Sequence, residues 1–241
     1  MLKNKARLRD SLTQPTPIPR ELHLPVVSIH WHTDSLFEIQ LERRGLHFLP
    51  GDCLSIFAED GQTSRPYSIA SGIRESHLSF LIKPMDEGIV TTYLQKMTPG
   101  HQVKVSSPYG WFRPGQANGR NPFIFIATGT GVAPFLSYIR SFPNKPPAGL
   151  LYGVPHLEDA IGWQEFRPLC PVNLAISREK KAGFHHGHVT ELLDHLPFTP
   201  ATHFYLCGLD AMIDDVSVVL EAKGITPLNI HTEVFFHASS E

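Results

Sequence analysis

The sequence predicts two domains, an N-terminal antiparallel β-barrel at residues 21–115 and a C-terminal α/β domain with a doubly wound parallel sheet at residues 122–241. Residues 23–112 contain short strand-like runs separated by turns, a pattern typical of a small barrel. After residue 122, apolar runs alternate with helical patterns, which indicates βαβ units. The segment 114–122 between them is polar, has Gly and Pro near its ends, and predicts the domain boundary.

The strands of the barrel are predicted from alternation and from turn residues. Residues 36–41 alternate cleanly, with Phe37, Ile39 and Leu41 on one face and polar residues among those on the other. One helix, residues 89–97, interrupts the strands and is entered from Gly88. The predicted strands are residues 24–31, 35–41, 52–57, 77–83 and 102–106.

The second domain begins with a continuous apolar run at residues 123–127, as expected for a parallel strand buried on both faces. A glycine-containing turn and a helix follow it, and the same alternation then continues to the end of the chain. The predicted strands are 123–127, 149–154, 172–176, 203–207 and 229–236, and the predicted helices are 133–142, 188–195 and 209–223.

Composition excludes several classes of protein. The net charge of −2 argues against nucleic-acid binding, and no apolar run approaches the length of a membrane span. Residues 1–20 have no apolar core typical of a secretory signal, and three prolines there predict a flexible arm. The three cysteines are far apart, so no iron–sulfur cluster is expected, and a reduced, cytoplasmic location fits. No metal site is predicted, because His185, His186 and His188 lack a nearby Cys or acidic cluster of fixed spacing.

One heptad combines the groups that a flat, phosphorylated ligand needs: Arg65-Pro66-Tyr67-Ser68-Ile69-Ala70-Ser71. Arginine presents a planar fork of donors suited to phosphate, and tyrosine presents a flat apolar face with a polar tip. The alternative is the end of a strand, with Arg65 paired on the surface and Tyr67 in the core. The residue types alone leave both interpretations open.

Four stretches in order resemble the ferredoxin–NADP(+) reductase family, in a version without an iron–sulfur domain. They are Arg-x-Tyr-Ser-x-x-Ser from Arg65, Gly-Thr-Gly-Val-Ala-Pro from Gly129, Tyr-Leu-Cys-Gly from Tyr205, and Glu-Val-Phe from Glu233. The resemblance implies an enzyme that transfers hydride between NAD(P)H and FAD. It further implies that electrons then pass singly to a carrier such as ferredoxin or flavodoxin, and we expect a monomer.

The resemblance assigns the flavin to the barrel. It implies that Arg65 holds the pyrophosphate, that Tyr67 stacks on the isoalloxazine ring and that Ser68 lies near N5. Gly88 and Thr91, at the start of the helix, are expected to bind the pyrophosphate, although ordinary helix capping also explains them. The full set of expected FAD-binding residues is Arg65, Pro66, Tyr67, Ser68, Ser71, Gly88, Val90, Thr91 and Phe235.

The resemblance assigns the nicotinamide nucleotide to the second domain. Ser177 and Arg178 are expected to contact the 2′-phosphate of NADP, for which an arginine and a hydroxyl are suitable donors. His188 stands where the family commonly has a basic or aromatic residue after a glycine, so the choice between NADP and NAD stays open. The expected nucleotide-binding residues are Gly129, Thr130, Gly131, Ala133, Pro134, Ser177, Arg178, Cys207 and Gly208.

Three residues are expected to carry the chemistry: Ser68, Cys207 and Glu233. Cys207 would lie against the nicotinamide ring, although a buried free cysteine is often only a small hydrophobe. Two enzymatic alternatives are the reductase component of a multicomponent oxygenase and a free-flavin reductase. An alternative of another class is a non-catalytic flavin- or nucleotide-binding subunit of a larger complex.

Overall fold

The computed structural model describes residues 21–85, 87–116 and 118–234. The predicted arm at residues 1–20 and the end of the predicted last strand, residues 235–236, lie outside these ranges. Within the described ranges, none of the helices is long and apolar enough to cross a membrane.

The N-terminal half forms a six-stranded antiparallel sheet. Its strands are β1 Leu22–Thr33, β2 Leu36–Glu42, β3 Cys53–Phe57, β4 Ser64–Ser68, β5 His77–Ile82 and β6 Gln102–Val105. Their order is β4-β3-β6-β1-β2-β5, and the sheet curls so that the Ala70 N–H donates to the Ser79 carbonyl beside the two edge strands (2.8 Å). The predicted barrel is therefore confirmed as a curled half-barrel.

Strand β4 was not predicted as a strand, because Pro66 cannot donate to a β-ladder. It forms because β4 is an edge strand, where a proline can be accommodated without interrupting the sheet. Pro66 pairs with Ser55 of β3, and Ser68 pairs with Cys53. The edge position thus brings a polar, Pro-containing segment into a fixed register beside the core.

The half-barrel is filled by the inward-facing residues that the alternation predicted. Phe37, Ile39 and Leu41 of β2 are fully buried. The helix α1 (Ile89–Gln95) closes the sheet with Val90 and Leu94, which belong to the same apolar cluster. The helix is therefore confirmed, although it ends two residues before the predicted position.

The C-terminal half is a six-stranded sheet in which all neighbouring strands are parallel. Its strands are β7 Phe123–Thr128, β8 Gly149–Val154, β9 Val172–Ile176, β10 His185–His186, β11 His203–Gly208 and β12 Ile230–Val234. The order is β10-β9-β8-β7-β11-β12, so the direction of winding reverses between β7 and β11. In open α/β sheets, ligands bind at the carboxyl ends of the strands at such a reversal.

Helices cover both faces of this sheet, and apolar clusters lie on each side. They are α2 Ala133–Ser141, α3 Trp163–Phe166 and α4 Asp210–Ala222, with 3₁₀ turns at Gly129–Val132, Leu157–Asp159, Val189–His195 and Pro227–Asn229. On α4, Met212, Ile213, Val216 and Leu220 are buried at helical spacing. The helix predicted at 188–195 forms as a 3₁₀ helix, Val189–His195, with a capping box between His188 and Glu191 at its start.

The two halves are joined by direct packing. Phe112, from the loop after β6, is 7% exposed and packs against Phe135 and Tyr205, with ring centroids 5.9 and 6.0 Å away. Three residues of α2 also bond to the segment between β4 and β5. Ser137 Oγ donates to the Ser71 carbonyl (2.8 Å), Arg140 donates to the Ala70 carbonyl (3.0 Å), and Ser141 Oγ accepts the Ile73 N–H (3.0 Å). The predicted domain bounds stay a prediction, but this contact fixes how the two sheets face each other.

Candidate active site

Ser68 is positioned by the end of β4. Its strand pairs with β3 so that Ser68 lies opposite Cys53, and the Ile69 N–H donates to the Asp52 carbonyl (3.0 Å). Ser68 is 6% exposed, and its Oγ donates to Oε2 of Glu233 (3.2 Å), a residue 165 positions later in the chain. The barrel thus presents one buried hydroxyl to the parallel sheet.

The partner carboxyl is held by the parallel sheet. Strands β11 and β12 pair with Cys207 opposite Glu233, so both side chains lie on the same face. Cys207 is fully buried, and its Sγ lies 3.7 Å from the same Oε2 that Ser68 contacts. The three residues expected to carry the chemistry therefore meet at one carboxylate oxygen.

Burial controls the protonation state of the Glu233 carboxyl group. It raises the pKa of Glu233 to about 7, against the smaller lowering effects of the bonds from Ser68 and Cys207. Burial, with the charge of Glu233, raises the pKa of the Cys207 thiol well above its ordinary value. Near neutral pH, Glu233 can therefore gain or lose a proton, whereas Cys207 stays a neutral thiol.

The expected flavin-binding residues of β4 lie at the edge of the half-barrel. Arg65 and Pro66 are exposed, and the Arg65 guanidinium donates to the carbonyl of Ser64 (2.9 Å). Tyr67 is half-buried, and burial raises its pKa to about 12. Ser71 is fully buried and its Oγ accepts the Ser79 N–H (3.1 Å), so its side chain is engaged within the barrel.

The residues at the start of α1 pack closely around Gly88. A Cβ atom at this position would approach Thr91 Oγ1 to 2.3 Å, so the position requires glycine unless the helix start shifts. Thr91 is 7% exposed, and its Oγ1 donates to the Gly88 carbonyl (3.0 Å). Val90 is 2% exposed and faces the core. Among the described residues, no side chain caps the N–H groups at the start of this helix, so any ligand contact here would come chiefly from those backbone N–H groups.

The turn after β7 brings backbone close to the end of β11. Gly129 has φ +53°, and no atom lies within 4 Å of where its Cβ would be, so the space above this turn is open. A Cβ at Gly131 would approach the Cys207 carbonyl to 2.2 Å, and one at Gly208 would approach Thr128 Oγ1 to 2.1 Å. Thr130 is half-buried, whereas Ala133 and Pro134 are buried at the start of α2.

The loop after β9 carries the residues expected to recognise a 2′-phosphate. Ser177 and Arg178 are exposed, and their N–H groups donate to the carbonyls of Val154 and Pro155 at the end of β8. The Glu179 side chain is engaged within the protein, because its carboxylate accepts the Leu157 N–H (2.7 Å) and lies 3.4 Å from Lys181 Nζ. His188 is exposed, and its N–H donates to Glu191 (3.0 Å). The backbone of the loop is fixed while the Arg178 side chain points to solvent.

Two family models match this chain in succession. Residues 27–113 match an oxidoreductase FAD-binding domain, and residues 125–218 match an oxidoreductase NAD-binding domain. The chain belongs to the ferredoxin–NADP(+) reductase family. The half-barrel is therefore the FAD-binding domain and the parallel sheet is the NAD-binding domain of this family.

Relatives in the ferredoxin–NADP(+) reductase family fall into two groups by name. The toluate 1,2-dioxygenase electron transfer component of Pseudomonas putida is 27% identical over 201 residues, which are 79% of this chain and 59% of that protein. Ferredoxin–NADP reductase B of Sorangium cellulosum is 29% identical over 194 residues, which are 72% of this chain and 78% of that protein. The chain thus spans about 60% of the length of the oxygenase components it matches.

Solved structures of the ferredoxin–NADP(+) reductase family have the same fold. The reductase of Neisseria gonorrhoeae, solved with bound FAD and NADP, superposes with a TM-score of 0.79 at 20% identity. The superposition covers 91% of this chain and all of that one. At this identity, the likeness supports the fold alone.

The residues present fit FAD. An exposed arginine and a half-buried tyrosine lie two residues apart on β4. The start of α1 offers backbone N–H groups, and residues of this helix line one cavity with residues 58–60 of the turn between β3 and β4. Together these groups supply the cation, the flat apolar face and the anion-binding donors that a flavin with a diphosphate requires. Phe235, expected to cover the flavin, lies outside the described residues.

Sequence reasoning missed a second cluster beside Ser68. Arg113 and Asp52 form an ion pair (2.8 Å) in which the Asp52 side chain is 9% exposed. Asp52 stands at the start of the predicted strand 52–57, and nothing in the local pattern connects it with Arg113, 61 positions later. Among the described residues, no group of three or more His, Cys, Asp or Glu side chains is placed to hold a metal ion.

Proposed function

We propose that this chain is an FAD-containing oxidoreductase that passes electrons between NAD(P)H and a one-electron carrier such as ferredoxin or flavodoxin. The observation that carries the proposal is the meeting of Ser68, Cys207 and Glu233 at one carboxylate oxygen. This point lies between the end of β4 in the FAD-binding domain and the carboxyl ends of β11 and β12 in the NAD-binding domain. A flavin held on β4 and a nicotinamide held at the strand ends would both border it.

Bound FAD would supply the step that nicotinamide does not carry out readily, which is the release of single electrons after a two-electron reduction. The protein's part is to bind, orient and protonate. Arg65 offers a cation to the diphosphate, Tyr67 offers an apolar face to the ring, and the open space above Gly129 can receive the nicotinamide nucleotide.

Glu233 is suited to exchange a proton during the reaction. With a pKa of about 7, it matches the requirement that a general acid or base titrate close to the working pH. Ser68 Oγ both donates to Glu233 and belongs to the FAD-binding domain, so it can relay a proton between the carboxyl group and a flavin on β4. Cys207 remains neutral and restricts the carboxyl group from the other side.

The first test is cofactor content and reduction. We expect the purified protein to be yellow with one FAD bound without a covalent link, and to bleach when NADPH or NADH is added without oxygen. A protein that stays colourless after incubation with FAD contradicts the proposal. A yellow protein that neither coenzyme bleaches indicates the alternative of a non-catalytic binding subunit.

The identity of the carrier needs a separate test. The names of the relatives support either a ferredoxin–NADP reductase or an electron-transfer component that serves an oxygenase. After reduction by NAD(P)H, the protein should be mixed with ferredoxins and flavodoxins, and with free flavin as the competing acceptor. Rapid reduction of free flavin alone would favour the free-flavin reductase. A monomeric state and a cytoplasmic location stay predictions.

Coenzyme preference depends on Arg178. If its exposed guanidinium pairs with the 2′-phosphate, Arg178→Ala removes a charge-assisted hydrogen bond of about 1.5–2 kcal/mol, roughly a 10- to 30-fold effect. We therefore expect the Michaelis constant for NADPH to rise by that factor, with that for NADH little changed. Steady-state reduction of ferricyanide with each coenzyme measures both constants.

The matched control for this substitution is Arg120→Ala. Arg120 is also exposed, but it precedes β7 and so lies at the opposite, amino end of the parallel strands. It should leave both Michaelis constants unchanged. Equal losses with NADPH and NADH in Arg178→Ala would show that the loop after β9 does not bind a 2′-phosphate.

A further inference from the structure

An ion pair is built into the loops beside β4, the strand that carries Ser68. Arg113 Nη2 lies 2.8 Å from Asp52 Oδ1, and the same guanidinium donates to the carbonyls of Gly110 (2.9 Å) and Phe112 (2.8 Å). The other oxygen of Asp52 accepts the Leu49 N–H (2.8 Å). Both charges are therefore held by backbone groups as well as by each other.

The pair is connected to Ser68 through the strand β3. The Asp52 carbonyl accepts the Ile69 N–H (3.0 Å), and the next residue, Cys53, lies opposite Ser68. Cys53 also exchanges two backbone bonds with Tyr109 (2.7 and 3.0 Å), which ties the loop that carries Arg113 to β3. The ion pair is thus fixed relative to the hydroxyl that bonds to Glu233.

The charges of this pair act on Glu233 in opposite directions. After burial, which raises the pKa of Glu233 to about 7, Arg113 lowers that pKa and Asp52 raises it. The other titratable groups nearby are neutral around pH 7: burial raises the pKa of Cys53 to about 11, and also raises the pKa values of Tyr109 and Cys207. Arg113 and Asp52 are therefore the charged groups that face Glu233 within the described part of the chain.

We propose that Arg113 and Asp52 are a positioning pair for Glu233 and set the pH at which this carboxyl group takes up its proton. Neither residue hydrogen-bonds Glu233, so the effect is exerted through space and through the placement of Ser68. The link to catalysis rests on the proposed function, whereas proton uptake by Glu233 is a property of the protein that can be measured independently. An alternative role for the pair is only to fasten two loops together.

The test compares single and double substitutions. Asp52→Asn keeps an acceptor for the Leu49 N–H but removes the negative charge, so Glu233 should titrate about one pH unit lower, a tenfold change in proton affinity. Arg113→Gln should shift the midpoint about one pH unit higher. In the double variant, both charges are absent and the midpoint should return close to that of the unmodified protein.

The readout is the titration of Glu233 in the protein with FAD bound, followed by ¹³C NMR after labelling with carboxyl-¹³C glutamate. The spectrum of Glu233→Gln identifies the resonance. Arg113→Lys keeps the positive charge, so the titration midpoint of Glu233 should stay near that of the unmodified protein. If Arg113→Gln does not fold, this variant still provides a test at position 113. Unchanged midpoints in Asp52→Asn, or shifts of the same sign in both single variants, would overturn the proposal in favour of loop fastening.

A second measurement separates this inference from the proposed function. The pH profile of flavin reduction by NADPH should move with the NMR midpoint if Glu233 takes part in the reaction. Shifted NMR midpoints with an unshifted profile would support the pair's effect on Glu233 and contradict the catalytic role given to that residue.

Discussion

Replacing Ser68 by alanine, or Cys207 by serine, is expected to slow flavin reduction by NADPH on the order of 10²-fold. Both side chains contact Oε2 of Glu233, at 3.2 and 3.7 Å, so Ser68→Ala removes one of its two donors and Cys207→Ser replaces the other by a smaller, more polar hydroxyl. Either change displaces the carboxyl group. In a reaction whose partners must meet within a fraction of an ångström, such a displacement has a large effect on rate. Stopped-flow absorbance under anaerobic conditions measures the step directly.

Flavin affinity should change far less than this rate, because neither side chain is placed to hold the diphosphate. Cys170→Ser is a matched control, since Cys170 is also a buried free thiol, with a pKa raised by burial to about 11, but lies away from Glu233. It should reduce its flavin at the unmodified rate. Unmodified rates in both test variants would remove Ser68 and Cys207 from the mechanism.

Glu233→Gln is expected to stabilise the protein by about 2–3 kcal/mol at pH 8 and to have little effect at pH 4.5. The pKa of Glu233 rises from 4.5 to about 7 on folding, mainly through burial, so the folded state binds this proton more tightly than the unfolded chain. The cost of the buried charge is absent below pH 4.5, grows as pH rises, and is complete above about 7. Glutamine removes the charge and keeps an acceptor for Ser68.

Urea unfolding at pH 4.5, 6, 7 and 8 measures this difference, with FAD at the same saturation in both proteins. Glu221→Gln is the control, because Glu221 is an exposed carboxylate on α4 and should show no such dependence on pH. A Glu233→Gln protein that is less stable than the unmodified one at pH 8 would mean that the carboxylate is stabilised rather than strained in the folded state.

The regular elements could be predicted because their patterns are local. The continuous apolar run of β7 and the alternation of apolar and polar residues in β2 predict both the strands and the faces that are buried. Strand β4 could not be predicted in this way, because proline is unfavourable in a strand unless that strand lies at the edge of its sheet. Whether a strand lies at an edge depends on the whole sheet and cannot be read from the local sequence.

The candidate site could be predicted only in part. Ser68, Cys207 and Glu233 were named through resemblance, and their meeting at one oxygen depends on β11 pairing with β12 and on how the two sheets face each other. Ser71 stays a predicted FAD-binding residue, and no local pattern indicates that its hydroxyl accepts the Ser79 N–H or that its carbonyl accepts a bond from Ser137 of α2. The ion pair of Asp52 and Arg113 joins two loops distant in sequence, and no spacing rule indicates it.

The position of Phe112 limits how this protein can be recombined with its relatives. By sequence it belongs to the FAD-binding domain, but its ring packs among Phe135 and Tyr205 of the NAD-binding domain. A chimera joined at residues 114–122 would therefore keep Phe112, whose ring would have to pack against a different NAD-binding domain. Exchange of the NAD-binding domain should succeed only when the donor offers the same pocket, so the two modules are constrained to change together.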